Sequence, residues 1–200
     1  MKFLSFSLRS VARWSAIPAL ALLFACNNQS ASNESEGDNV TTEDAAAPSA
    51  ATHAEAIITG TYSDTTVNGT AKFDVEENGK VKLVVDLDIP AKAGKPVAVH
   101  IHEHGDCGDQ GNMSHGHWNP TNQQHGKWGS ASFHSGDIGN VDLDKDGKGS
   151  LTMETDLWTI GGDSLKNILG KALIVHGGVD DYTSQPSGNA GSRIGCGVIQ

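Results

Sequence analysis

The sequence predicts an all-β domain, a sandwich or barrel of short antiparallel strands, preceded by a segment that takes no part in the fold. Three observations predict it. Two runs of alternating apolar and polar residues flank Asn78-Gly79. Further short apolar runs are separated by Gly- and Asp-rich turns. Helical periodicity is nearly missing, with one turn at "SLKNILG" from Ser164, where Leu165, Ile168 and Leu169 are suitably spaced.

Taken in chain order, the first 25 residues read as a secretory signal. Lys2, Arg9 and Arg13 give a basic start, and "IPALALLFA" (17–25) is an apolar run ending in small residues. It is too short to span a bilayer as a lone helix. Cys26 follows in "LLFAC", which resembles the lipobox of bacterial lipoproteins, where the cysteine is lipidated and becomes the new N-terminus. An ordinary cleaved signal with an incidental cysteine is the other reading. Residues 26–55 carry no aromatic side chain, and Glu34, Glu36, Asp38, Glu43 and Asp44 stand there without a base. Such a stretch cannot bury enough apolar surface to offset its ordering entropy, so it reads as a disordered acidic tether with an r.m.s. reach of roughly 30 Å. His53 falls in this tether and reads as solvated. The combination implies export to a bacterial cell envelope, periplasm or outer surface, with a lipid on Cys26 as the membrane attachment.

The folded domain is expected over 56–200, long enough to bury a core. The chain's net charge is −10, and setting aside the three bases and six acids of residues 1–55, Glu55 included, leaves −7 for 56–200, which argues against nucleic acid as a partner. Residues 71–76 and 81–89 form a hairpin about Asn78-Gly79, because a two-residue turn needs φ > 0 at both positions. Val81, Leu83, Val85, Leu87 and Ile89 share one face, and Lys82, Asp86 and Asp88 the other, as in an antiparallel sheet with one wet face. Residues 97–102, 150–157, 172–176 and 195–199 supply further strands. Asp142, Asp144, Asp146 and Gly147 match half of an EF-hand calcium loop, but the twelfth position is Met153 rather than a bidentate glutamate. A hairpin turn at Asp146-Gly147 is the better reading. Two long connections, 103–133 and 177–195, are expected to be functional.

The histidines carry the chemistry. Of nine, seven lie between His100 and His134. Imidazoles are poor core fillers and repel one another when protonated, and a divalent metal removes that conflict. His100 and His102 share one strand face, roughly 6–7 Å apart at Cα. His117 in "GHWNP", His125 in "QHGKW", His134 with Asp137 in "FHSGDIGN", and His176 in "ALIVHGG" complete the candidates. A carboxylate among imidazoles suits zinc, and an all-imidazole set suits copper. Cys107 and Cys196 are an even pair once Cys26 is set aside. A bridge between them would close a loop of about 90 residues, for about 4–5 kcal/mol in the chain-entropy model.

"VHIHEHGDC", "GHWNP", "FHSGDIGN", the aspartates after His176 and "GNAGSRIGCGVIQ" together resemble the copper/zinc superoxide dismutase family, over nearly the whole domain. The resemblance implies a Greek-key β-barrel or sandwich with two long functional loops, an architecture general structural rules assign to this enzyme by name. It implies one copper per chain on His100, His102, His117 and His176, and one zinc on His117, His125, His134 and Asp137. His117 would then be a shared imidazolate. It further implies a Cys107–Cys196 disulfide, a role for Asp180 linking the rings of His100 and His125, superoxide as substrate, and Arg193 as the group that docks it. Oligomeric state is left open, a homodimer included.

From spacing alone a surface arginine without a role reads equally well at position 193. It is, however, the one arginine outside the leader. His104 continues the two-residue period but receives no ligand role from the resemblance, and reads as a rim residue or a support behind the ligands, with contact to a third metal the lesser alternative. His115 reads as an exposed loop residue that helps capture metal. Ser187 stands where a threonine is frequent, and residues 182–192 contain no lysine, which weakens the expected steering of an anion. The alternative function is a non-enzymatic extracytoplasmic copper/zinc-binding protein. A pure copper carrier needs neither a second metal set nor Arg193. A zinc hydrolase needs an open zinc position that the zinc set does not leave.

Overall fold

The computed structural model describes residues 51–200. The signal, Cys26 and the tether up to residue 50 lie outside the described residues. Eight strands follow in order: β1 (His53–Gly60), β2 (Asn68–Val75), β3 (Val81–Asp88), β4 (Pro96–His102), β5 (Gly139–Asp142), β6 (Lys148–Thr155), β7 (Ala172–His176) and β8 (Arg193–Val198). They form one antiparallel sheet in the order β5-β4-β7-β8-β1-β2-β3-β6. The two outer strands, β5 and β6, approach each other, so the sheet nearly closes into a barrel. Consecutive β3 and β4 are not neighbours in it. Such a crossing is what distinguishes a Greek key from a meander.

The alternation in β3 is realised as read. Val81, Leu83, Val85 and Leu87 are buried, facing Phe73 and Ala71 of β2. Trp158 closes the end of this core, edge-on to Phe73 with 5.9 Å between ring centroids. Its indole N–H donates to the Ser135 carbonyl at 2.8 Å, so the large ring is buried without an orphaned donor.

β4 positions the site. Val97, Val99 and Ile101 enter the main core, and Ala98, His100 and His102 point to the other face. That second face is also buried, because the connections 103–138 and 177–192 fold over it. Those two long connections, anticipated as functional, roof the histidines.

Two expectations change. β1 is not among the expected strands, and it begins at His53, three residues before the expected domain start. His53 remains exposed, but its Nδ1 lies 2.7 Å from Asp74 Oδ1, and its backbone pairs with β2. Short β5, four residues with only Gly139 and Val141 buried, was not anticipated either. At Ser164 the single helical turn forms, closed by Lys166 N and Asn167 N donating to the Asp163 carbonyl at 3.0 and 2.8 Å, and it goes no further. Asp163 Oδ1 accepts from Leu165 N, and Asn167 Oδ1 accepts from both Gly161 N and Leu169 N. These side-chain acceptors offer the backbone an alternative to helix. Leu165 consequently faces solvent while Ile168 is buried. At 144–147, Asp144 Oδ1 accepts from Asp146 N and Lys148 N at 2.8 and 2.9 Å, and Gly147 sits at φ +82. The acidic repeat builds a turn.

Candidate metal centre

Eight side chains from four regions converge under the roof. β4 supplies His100 and His102, and β7 supplies His176 at its end. The long first connection supplies His117, His125, His134 and Asp137, and the second supplies Asp180. All eight are buried, with none more than 6% exposed.

The ring nitrogens divide into two kinds. One nitrogen on most rings is pinned by the protein. His100 Nε2 lies 2.8 Å from Asp180 Oδ2, His102 Nδ1 2.9 Å from the His115 carbonyl, and His176 Nδ1 3.2 Å from the Gly191 carbonyl. His125 Nε2 lies 2.9 Å from Asp180 Oδ1, and His134 Nε2 3.1 Å from the Gln123 carbonyl. The opposite nitrogen of each of these rings is buried and has no hydrogen-bond partner: His100 Nδ1, His102 Nε2, His125 Nδ1, His134 Nδ1 and His176 Nε2. So is Nε2 of His117. Of these six nitrogens, those of His125 and His134 face only the Asp137 carboxylate, and the other four face no polar partner, a cluster that is costly unless something binds it. Pinning the far nitrogen fixes the tautomer and aims the free one, which is what a metal ligand requires.

Two donor groups result, each with its ligand atoms within 4.8 Å of one another: His100, His102, His117 and His176, and then His117, His125, His134 and Asp137. His117 belongs to both. Its Nε2 is the free nitrogen, while its Nδ1 lies 2.8 Å from Asp137 Oδ1. Asp137 also lies 3.0 Å from His125 Nδ1 and 3.2 Å from His134 Nδ1. Its other bonds come from the backbone N–H of Gly126 and His134. The rings of His100 and His117 are 3.9 Å apart at their centroids, so the two groups share a wall.

A profile described as "Copper/zinc superoxide dismutase (SODC)" matches residues 67–199. This chain belongs to the copper/zinc superoxide dismutase family. It is similar to the Cu-Zn superoxide dismutase of Paramecium bursaria Chlorella virus 1, 39% identical over 139 residues, covering 66% of this chain and 72% of that one. Against the Schizosaccharomyces pombe protein of the same name it is 35% identical over 146 residues, 68% of this chain and 91% of that one. Among solved structures, an SOD-like protein from Bacillus subtilis, crystallised as a double mutant, is 30% identical at a TM-score of 0.64, covering 72% of this chain and 95% of that one. The clock protein EA4 is 29% identical at 0.65, covering 75% and 94%. The two metals in the family's name suit the two donor groups. Four neutral imidazoles are a nitrogen set for copper, and three imidazoles with one carboxylate are a tetrahedral set for zinc.

The other anticipated residues are placed as follows. Cys107 and Cys196 are bonded, with Cα atoms 5.8 Å apart. Arg193 lines the cleft that opens over His102, His117 and His176, a space of about 470 Å³ that Ser187 also lines. Its Nη1 donates to the Gly111 carbonyl at 2.7 Å and to Ser114 Oγ at 3.0 Å. Asp180 spans His100 and His125. His104 and His115 are exposed, with ring centroids 4.4 Å apart.

Several supporting residues went unread in the sequence. Asn140 brackets Asp180, accepting from its N–H at 2.8 Å and donating to its carbonyl at 3.0 Å. Gln185 accepts from His125 N and donates to the His125 carbonyl. Gly188 lies against Asp180: a Cβ there would fall 1.9 Å from Oδ1. The glycines and asparagine of "SGDIGN" and "SGNAG" were the available signal, because small residues beside a polar constellation mark close backbone approach. Asp180→Asn keeps the shape but removes the charge and one of two acceptors. Zinc and copper affinities should both fall about 10–100-fold, read by competition with a chelator of known affinity.

Burial, more than any other cause, lowers the pKa of His100, His102, His117 and His176 in the metal-free protein, with His117 brought down from 6.5 to about 4. Burial also opposes the charge of His125, but its bonds to Asp137 and Asp180 outweigh that and raise it to about 9. Unfolding returns each imidazole to about 6.5. Between pH 6.5 and 4 the unfolded chain therefore takes up protons that the folded one refuses, and stability is lost as pH falls. His125 contributes in the opposite sense, fully below pH 6.5 and vanishing as pH rises through 9. The metal-free domain should lose about 2 kcal/mol between pH 7 and 5 from His117 alone. Urea unfolding at both pH values checks this, and the metal-loaded protein should show little change while its metals remain bound.

Proposed function

We propose that this protein converts two superoxide anions and two protons into dioxygen and hydrogen peroxide, with copper on His100, His102, His117 and His176 and zinc on His117, His125, His134 and Asp137. The observation that supports this reading is that His117 falls in both donor groups, with its Nε2 buried and unpartnered and its Nδ1 2.8 Å from Asp137 Oδ1. Copper, when bound, supplies the one-electron chemistry, and zinc, which does not change oxidation state, supplies a fixed charge.

The chain's own residues do the rest. His117 Nε2 is the proton site: it can take up a proton when one superoxide is oxidised and return it when the next is reduced. Asp137 and the neighbouring rings hold the ring so that this nitrogen keeps its aim. Asp180 couples the orientations of His100 and His125, one from each group. Arg193, fixed by Gly111 and Ser114, presents a guanidinium to the cleft, where an anion can meet two of its donors. The roof of the two long connections keeps the site otherwise dry.

Metal analysis paired with a superoxide-decay assay on purified protein tests the reading. One copper and one zinc per chain with rapid decay is expected. Zinc alone with no decay would overturn it in favour of a metal-binding protein without turnover. One structural neighbour is a clock protein, and a fold by itself does not determine function.

The cleft lining carries one permanent cation, Arg193, and one carboxylate, Glu103. Local charges thus nearly cancel on a domain that is negative overall. We expect kcat/KM to change by less than about twofold between low and physiological ionic strength. A steep decline would reveal steering from elsewhere.

The reading extends to location. The apolar run before Cys26 and the disulfide, which needs an oxidising compartment, support export to a bacterial envelope with a lipid at Cys26. Cys26→Ser should move the protein from the membrane fraction to the soluble fraction.

A further inference from the structure

Beyond the two buried groups, a third set of donors stands at the rim of the cleft. Glu103, His104 and His115 are all exposed, and one ligand atom from each lies within 4.8 Å of the others. Neither metal of the proposed reaction uses them. Their meeting is built into the backbone. After β4 the chain pairs with the segment before His117: Glu103 N donates to the Gly116 carbonyl at 3.0 Å and His104 N to the Ser114 carbonyl at 3.2 Å. A bridge between His102 and His117 continues the same pairing. His115 is thereby set opposite Glu103 and His104, and the two imidazoles stand edge to face.

The position of His115 adds to this. Its φ of +63 and ψ of −140 are unusual for a residue with a side chain. That conformation turns its carbonyl inward, where it accepts from His102 Nδ1, while its ring stays outside against His104. One residue thus orients a ligand of the buried all-imidazole group and supplies a donor to the rim. Glu103 links them from the other side, since it follows His102 directly and lines the same cleft.

We propose that Glu103, His104 and His115 form a third, surface metal site that captures Cu(II) and passes it to the buried all-imidazole group. Two imidazoles and a carboxylate suit a divalent first-row ion, and Cu(II) heads the affinity order for such donors. An exposed triad binds quickly and releases readily. A buried site of four imidazoles fills slowly from bulk solvent, because each ring is locked and buried. Holding an ion at the mouth raises its local concentration where the first internal ligand, His102, is one residue away.

The existence of the site does not depend on dismutase activity, and the delivery role rests on copper occupying the all-imidazole group. Two measurements separate them. Cu(II) titrated into protein already holding one copper and one zinc should bind a third equivalent. That equivalent should have an electron paramagnetic resonance spectrum of mixed nitrogen and oxygen ligation and be removable by a mild chelator that leaves the other two. In H104Q/H115Q its affinity should fall about tenfold or more, because a lost ligand costs at least what a lost second-sphere contact does. Absence of a third equivalent in the wild type, or its retention in the variant, would overturn the site. For delivery, zinc-loaded, copper-free protein is given limiting Cu(II). The wild type should fill its buried site several-fold faster than H104Q/H115Q, with the same final copper content, read by the visible absorption of the buried site. Equal rates would overturn the capture role. E103Q, which alters neither histidine, should slow filling by a smaller factor, and its thermal unfolding should match the wild type.

Discussion

His117→Gln should lower superoxide turnover by about 10²–10⁴-fold, the range a positioned proton-transfer group supplies. It should also weaken both metals at once. The reason is geometric: no other residue belongs to both donor groups. Removing His102 or His176 deletes one of four imidazoles around copper and leaves the zinc group whole. Removing His134 does the converse. Replacing His117 leaves three imidazoles on one side and, on the other, two imidazoles with Asp137. Asp137 also loses the 2.8 Å contact from His117 Nδ1 that holds one of its oxygens. The clearest readout is the pairing of effects. Metal analysis after dialysis against a chelator should show loss of zinc together with an altered copper spectrum, while His134→Gln should release zinc and leave the copper spectrum nearly unchanged. If the His117 variant kept both metals and full turnover, the shared-ring reading would fail.

Legibility in the sequence followed how local the determinant was. The strands of the hairpin were readable because apolar alternation in 81–89 is enforced by a single buried face, which shows in the pattern of consecutive residues. β1 was missed because His53 and Glu55 are outward positions of a strand whose inward residues, Ala54 and Ala56, are small. Small residues carry little periodic signal. The turn at Ser164 was legible, but not that it stops after one turn. The spacing of Leu165, Ile168 and Leu169 fits a helix, but Asp163 and Asn167 compete for the same backbone donors. Spacing does not show which wins. The donor residues themselves were legible, since histidine is too poorly suited to a core to be there in such number without a ligand. The pinning contacts were not. The carbonyls of Gln123, His115 and Gly191 act through backbone atoms that any residue possesses, so no residue type betrays them. Asn140 and Gln185 are side-chain supports, but their partners lie 40 and 60 residues away, beyond the reach of local pattern.

Joint replacement of Cys107 and Cys196 by serine should destabilise the domain by about 4–5 kcal/mol, and it should also damage the site in a way that stability alone does not explain. The first part follows from the 89-residue separation that the bond closes, since cross-linking a long loop removes much of the unfolded chain's freedom. The second part follows from what the bond holds. Cys196 lies in β8, three residues after Arg193, and Cys107 begins the segment that runs to His115. Gly111 N donates to the Cys107 carbonyl, and Ser114 N to the Gly111 carbonyl. The Gly111 carbonyl and Ser114 Oγ then hold the Arg193 guanidinium, and the His115 carbonyl holds the His102 ring. One covalent bond therefore ties Arg193, the proposed docking cation, and His102, a proposed copper ligand, to the same stretch of chain. The variant should be assayed well below its unfolding temperature, with metal content equalised. Under those conditions KM for superoxide should rise and kcat/KM should fall about tenfold or more, as lost orientation at a bidentate contact predicts. Arg193→Lys in the intact disulfide background should reproduce most of that fall with no loss of urea stability. If the serine variant kept wild-type kcat/KM while losing its stability, the bond would be a staple only, and Arg193 would be held by β8 without help from the segment opposite.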